Sequence, residues 1–159
     1  MKSTSFVSLI FAALCTAIFI FAPLPSLAQQ KAALPTLDVG NHRGGKLRDQ
    51  IYQLEILRHS GQPVRITGDF CYSTCTMYLG LPQTCVSPRT VFGFHGPSEN
   101  GRPLDQATFE RASQLIVANY PPVLHDWYMA YGRHQRIGLL KVNGAHLIRI
   151  GAAQPCAAL

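Results

Sequence analysis

Charge is scarce in this chain. Asp, Glu, Lys and Arg make up 14% of its 159 residues, and only 8 are acidic against 14 basic, for a formal net charge of +6. A basic balance can point to nucleic acid or an anionic surface. Here, however, Arg43, Lys46, Arg48, Arg58, Arg65, Arg89 and Arg102 are scattered rather than grouped in a run. No aromatic-basic stripe accompanies them, so the sequence makes no case for a nucleic-acid partner. Internal repeats and low-complexity segments are absent too, which excludes solenoids and arrays. Neither a nucleotide-binding loop nor an ATPase signature is present. Cys71-x-x-x-Cys75 has no second close cysteine pair and no His-x-x-x-His beside it, so a tetrahedral zinc site lacks ligands. No metal and no cofactor is expected.

The one long apolar run lies at the start. Lys2 precedes an uncharged stretch from Phe6 to Ala22, followed by Pro23, Pro25 and the small-x-small exit Ser26-Leu27-Ala28. A short positive end, an apolar run and such an exit define a secretory signal peptide. A retained anchor is the competing interpretation, since spanning a bilayer takes roughly 20 apolar residues. The prolines and the small-residue exit favour cleavage after Ala28. The expected organisation is a signal peptide over 1–28, a linker over 29–35 and a single domain over 36–159, in the periplasm or secreted. Membrane contact would then arise only through an uncleaved signal sequence. The segment left is long enough for one cored domain and too short for two. It keeps Cys71, Cys75, Cys85 and Cys156. An even count in an exported protein predicts two disulfides, with three pairings open.

Along that domain, Thr36 to Val39 alternates like a strand and enters a glycine turn, Gly40-Asn41-His42-Arg43-Gly44-Gly45. Leu47, Ile51, Leu54 and Leu57 recur at helical spacing, with Gly61 suited to the helix end. A second strand is expected over 63–67, a sharp turn over 69–72, a short helix from Ser73 to about Leu81 and a third strand over 86–95. A polar loop over 98–103 leads to an amphipathic helix bearing Phe109, Ala112, Leu115 and Ile116, and Pro121-Pro122 breaks it before a third helix ending near Gly132. A helical tail is expected through Leu139, Leu140, Leu147 and Ile150. Strands alternating with helices predict an α/β fold with a parallel βαβ core and C-terminal helices.

In a parallel α/β unit the strand-to-helix turns share the carboxyl edge of the sheet, where sites form. Three such turns carry Gly44-Gly45, Ser73 at a helix start and His95 at a strand end. A serine, an imidazole and backbone donors near a helix N-terminus are the minimum set for acyl transfer. Each element has a plainer role available: Ser73 as a helix N-cap, the glycines as an ordinary turn, His95 as a satisfied histidine. Their order along the chain is what singles them out.

These segments resemble the ClpP/crotonase superfamily, in particular the Clp protease proteolytic subunit and its small exported proteobacterial relatives. Asn41-His42-Arg43-Gly44-Gly45 is similar to the family's Asn-Ser-Pro-Gly-Gly, Gly68 through Ser73 to its Gly-x-Ala-Ala-Ser turn, and Phe94-His95-Gly96-Pro97 to its Ile-His-Gln-Pro. The form Cys71-Tyr72-Ser73-Thr74-Cys75 resembles the exported subgroup. The resemblance covers about 36–97 well and the C-terminal helices loosely, and implies a trimmed version of that fold, without the strands that usually precede the glycine turn. It implies Ser73 as nucleophile, His95 as general base, and the backbone N–H groups of Gly45 and Thr74 as oxyanion donors. The family's third triad member is a C-terminal acid. Between Ile137 and Ile150 this chain has no Asp or Glu, so Asn143 is the candidate to orient the histidine, with His146 the other uncharged candidate and Asp105 and Asp126 lying elsewhere. The resemblance thus implies an exported serine hydrolase, a peptidase acting on a peptide or protein substrate through a Ser-His dyad, with a ring-shaped homo-oligomer as the family's habit. The alternative is an inactive ClpP-like domain that binds a peptide or protein partner in the cell envelope.

Overall fold

The computed structural model describes residues 34–157, and the expected signal peptide and its cleavage site lie outside them. Apolar side chains meet at the junction of two small sheets. The first has the order β1 (Leu37–Val39), β2 (Val64–Ile66), β4 (Thr84–Val86), β7 (Gln154–Pro155), all parallel. The second has the order β3 (Phe70–Tyr72), β5 (Val91–Phe94), β6 (Leu140–Asn143), with β3 and β5 parallel and β6 antiparallel. The α/β class holds, but the expected single parallel sheet is two sheets.

The divergence has local causes. The expected third strand over 86–95 is cut in two because Pro88 has no N–H to give a ladder. Ser87 to Thr90 closes a turn, Thr90 N–H donating to Ser87 O at 3.2 Å, and the chain crosses from one sheet to the other. The expected sharp turn over 69–72 is instead β3, paired to β5 with Tyr72 opposite Gly93. The expected C-terminal helical tail is a strand followed by a short helix: β6, then α4 (Gly144–Arg149). Leu140-Lys141-Val142-Asn143 alternates half-buried and exposed, a strand period.

The helices follow the apolar spacing. α1 (Leu47–Ser60) buries Gln50, Leu54 and Leu57 and ends at Gly61 in a left-handed conformation, φ 69°. α2 (Gln106–Val117) is capped by Asp105, whose side chain accepts from Thr108 N–H at 3.0 Å. α3 (His125–Ala130) follows the Pro121-Pro122 break. Leu54, Ile66, Met77, Val86, Phe92, Phe94 and Tyr128 lie in the core that these elements enclose. Disulfides join Cys71 to Cys75 and Cys85 to Cys156. Among the described residues, no helix is long and apolar enough to cross a membrane.

Candidate active site

Register brings the serine and histidine together. β3 and β5 run side by side, with Tyr72 opposite Gly93, so the chain leaves β3 at Ser73 and leaves β5 one residue later, at His95, after Phe94. Ser73 opens a 3₁₀ helix, Ser73–Gly80, rather than an α-helix, and its backbone takes φ 58°. That left-handed conformation costs a non-glycine residue about 1–2 kcal/mol, and it turns the side chain out of the sheet edge. Three constraints hold it there. The Cys71–Cys75 disulfide brackets the turn. Thr76 Oγ1 donates to Ser73 O at 2.6 Å and accepts from the buried Tyr120 hydroxyl at 2.7 Å. The glycine turn packs beneath, where a Cβ on Gly44 would lie 2.5 Å from Ser73 Cβ. Gly44 also has φ 87°, so the position excludes every other residue on two counts.

Ser73 Oγ lies 2.7 Å from His95 Nε2. On the other side of the ring, His95 Nδ1 lies 2.6 Å from the Gly96 carbonyl oxygen. A carbonyl can only accept, so Nδ1 carries the proton, Nε2 is the free acceptor, and the serine hydroxyl donates to it. This is the tautomer a general base requires. The carbonyl that fixes it is itself fixed: Gly96 N–H donates to Gln135 O at 3.1 Å, and a Cβ at Gly96 would fall 1.9 Å from Arg133 O. Tyr128 Oη donates to the carbonyl of His95 at 3.3 Å.

The expected orienting residue is elsewhere. Asn143 pairs with Val91 across antiparallel strands, which puts it about 13 Å along the strand from His95 at the usual rise per residue. Its side chain caps α4 instead, accepting from His146 N–H at 2.8 Å. His146 Nδ1 accepts from Arg149, Asp105 caps α2, and Asp126 sits in the first turn of α3. None of them hydrogen-bonds the His95 ring.

The two backbone groups expected as oxyanion donors are in different states. Thr74 lies in the first turn of the 3₁₀ helix, where no intrahelical acceptor is available to its N–H. Gly45 N–H is already used, donating to Thr74 Oγ1 at 2.8 Å.

A cleft of about 800 Å³ opens over these groups. Met77, Ile116 and Tyr120 give it an apolar floor, while Lys46, Glu99 and Asp105 stand in its lining. Burial pushes the Tyr120 phenol well above its ordinary pKa, so it stays a donor to Thr76. Hydrogen bonds from the side chain and backbone of Thr108 hold Asp105 below the usual carboxylate range. Part of the rim is a tight hairpin in place of the expected loop: Glu99 and Arg102 exchange both backbone hydrogen bonds, at 3.0 and 2.9 Å, around Asn100 and Gly101 at φ 51° and 77°. Asn-Gly with both φ positive is the sequence signal of a two-residue hairpin turn. Thr76, Tyr120 and Gly96 O carry no comparable signal. Comparison with protein-family models and with curated proteins returns no match.

Proposed function

We propose that the chain is an exported ClpP-like serine hydrolase, a peptidase acting in the periplasm or outside the cell through a Ser73–His95 dyad. The observation that carries it is the Ser73 Oγ to His95 Nε2 distance of 2.7 Å, with Nδ1 tied to Gly96 O, on the wall of a cleft. Ser73 Oγ attacks the substrate carbonyl carbon while its proton passes to His95 Nε2. The oxyanion so formed takes the Thr74 N–H and, once that amide is released, the Gly45 N–H. His95 then returns the proton to the leaving amine, and the bond from carbon to nitrogen breaks. Water, deprotonated by the same nitrogen, then adds to the acyl carbon; the bond from that carbon to Ser73 Oγ breaks, Oγ takes the proton back from His95, and the carboxylic acid product leaves. The two disulfides suit an oxidising compartment.

A fluorophosphonate probe tests the proposal, because it needs an activated serine and little substrate recognition. Labelling at Ser73 that disappears in Ser73→Ala and falls steeply in His95→Ala supports it. A folded protein without such labelling transfers the fold to the second reading, a ClpP-like domain that binds a peptide or protein partner. One observation favours that alternative: the Gly45 N–H is occupied by the protein's own side chain.

A further inference from the structure

We infer that the Thr74 hydroxyl is a latch that stands in the oxyanion position of the resting site and is displaced by a bound carbonyl. The inference rests on the hydrolase reading and concerns a side chain to which that reading assigns no task. A donor that stabilises an oxyanion must lie about 2.7–3.1 Å from it. Thr74 Oγ1 already sits within that distance of Gly45 N, at 2.8 Å. A substrate oxygen cannot share the place, so this donor becomes usable only when the threonine side chain turns away. Thr74 Oγ1 lies 3.5 Å from Gly45 O, beyond the usual O–H···O range, so its close contact with the loop is the bond that it accepts from the Gly45 amide. Gly45 is an exposed residue, and Thr74 Oγ1 is the acceptor that its amide has among the described residues. Thr74 is thus a positioning residue that acts through the Gly45 amide: the resting enzyme has one oxyanion donor free and one held back.

The test uses Thr74→Val, which keeps the branched shape and removes the hydroxyl, with Thr74→Ser as the variant that keeps it. Two measurements are made on the purified exported protein: amide hydrogen exchange at Gly45, and the rate of fluorophosphonate labelling at Ser73. Thr74→Val should raise both, each by up to about tenfold, the factor that one net neutral hydrogen bond is worth. Thr74→Ser should keep the Gly45 amide protected. Unchanged Gly45 exchange in Thr74→Val overturns the latch whatever the labelling does. Faster exchange with equal or slower labelling also overturns it, because the hydroxyl would then be assisting the oxyanion. If Gly45 exchange responds but neither wild type nor Thr74→Val labels at Ser73, the hydrolase reading has failed, and the latch falls with it for want of an oxyanion to exclude.

Discussion

A histidine acts as a base only when its other nitrogen is held, and at His95 the holder is a neutral carbonyl rather than a carboxylate. Gly96 O at 2.6 Å selects the tautomer but supplies no full negative charge to the imidazolium that forms. If the proposed hydrolase activity holds, turnover should therefore fall below that of complete triads, where corrupting the acid alone costs about 10⁴-fold. The carbonyl is set by a position that tolerates no side chain. Gly96→Ala, whose Cβ would overlap Arg133 O at 1.9 Å, should displace the carbonyl and slow Ser73 labelling by at least about tenfold, given the size of general-base effects. Near-wild-type labelling in a folded Gly96→Ala protein would show that some other group orients the ring. Gly44→Ala reaches the same centre from the serine side. It combines a strained φ with a Cβ 2.5 Å from Ser73 Cβ, and should cost stability of roughly 1–2 kcal/mol from φ alone, read as a lower urea midpoint, along with Ser73 labelling.

At the scale of elements, the turn between β3 and the 3₁₀ helix is where the fold stores strain, and the Cys71–Cys75 bridge spans it. A loop closed over a separation of 4 residues removes little entropy from the unfolded chain, so its contribution to stability through that route is small. Its consequence should appear at the serine instead. Cys71→Ala/Cys75→Ala should lose Ser73 labelling while most molecules remain folded, measured by labelling against far-UV circular dichroism. Retained labelling would mean that β3 pairing and Thr76 suffice to hold the turn. The order of glycine turn, serine turn and His-Gly-Pro was legible in the sequence because each depends on residues with narrow conformational use. α1 was legible because Leu47, Leu54 and Leu57 keep a helical period to a glycine cap. The pairing of strands was not. β4 and β5 read as one run because only Pro88 separates their apolar residues, and β6 is four residues whose two-residue period is lost beside Leu139 and Leu147. Asn143 looked like an orienting residue by chain position alone, and register removes it from the site. The partner of the His95 ring is a backbone carbonyl, which no side-chain pattern announces.

Among the described residues, one disulfide and two ion pairs tie segments distant in the chain. Cys85–Cys156 closes a separation of 71 residues and fastens β7 to β4, where Cys156 N–H also donates to Val86 O at 3.0 Å. A loop that long carries about 4 kcal/mol in the chain-entropy account, so Cys85→Ala/Cys156→Ala should unfold at a clearly lower denaturant midpoint than Cys71→Ala/Cys75→Ala. The ionic links are Asp38 to Arg65, joining β1 to β2, and Glu110 to Arg133 at 3.0 Å, joining α2 to the segment after α3. The Arg65 side-chain hydrogen bond holds the Asp38 carboxyl below its ordinary value, and that of Arg133 does the same for Glu110. A carboxyl depressed in the folded state is protonated more readily in the unfolded chain. Its stabilising effect is therefore present above the ordinary carboxylate pKa, about 4, and is lost as the pH falls through the lower folded value. Tm should hold between pH 7 and 5 with respect to these two groups and drop below about pH 4. Both pairs are solvent-exposed on the carboxylate side, so the drop per pair should be small and should shrink in high salt. Asp38→Asn/Glu110→Gln should lower Tm at pH 7 and flatten its acid slope. An acid slope equal to wild type in that double variant would place acid sensitivity in other carboxyls, of which Asp105, depressed by its cap to Thr108, is the next to change.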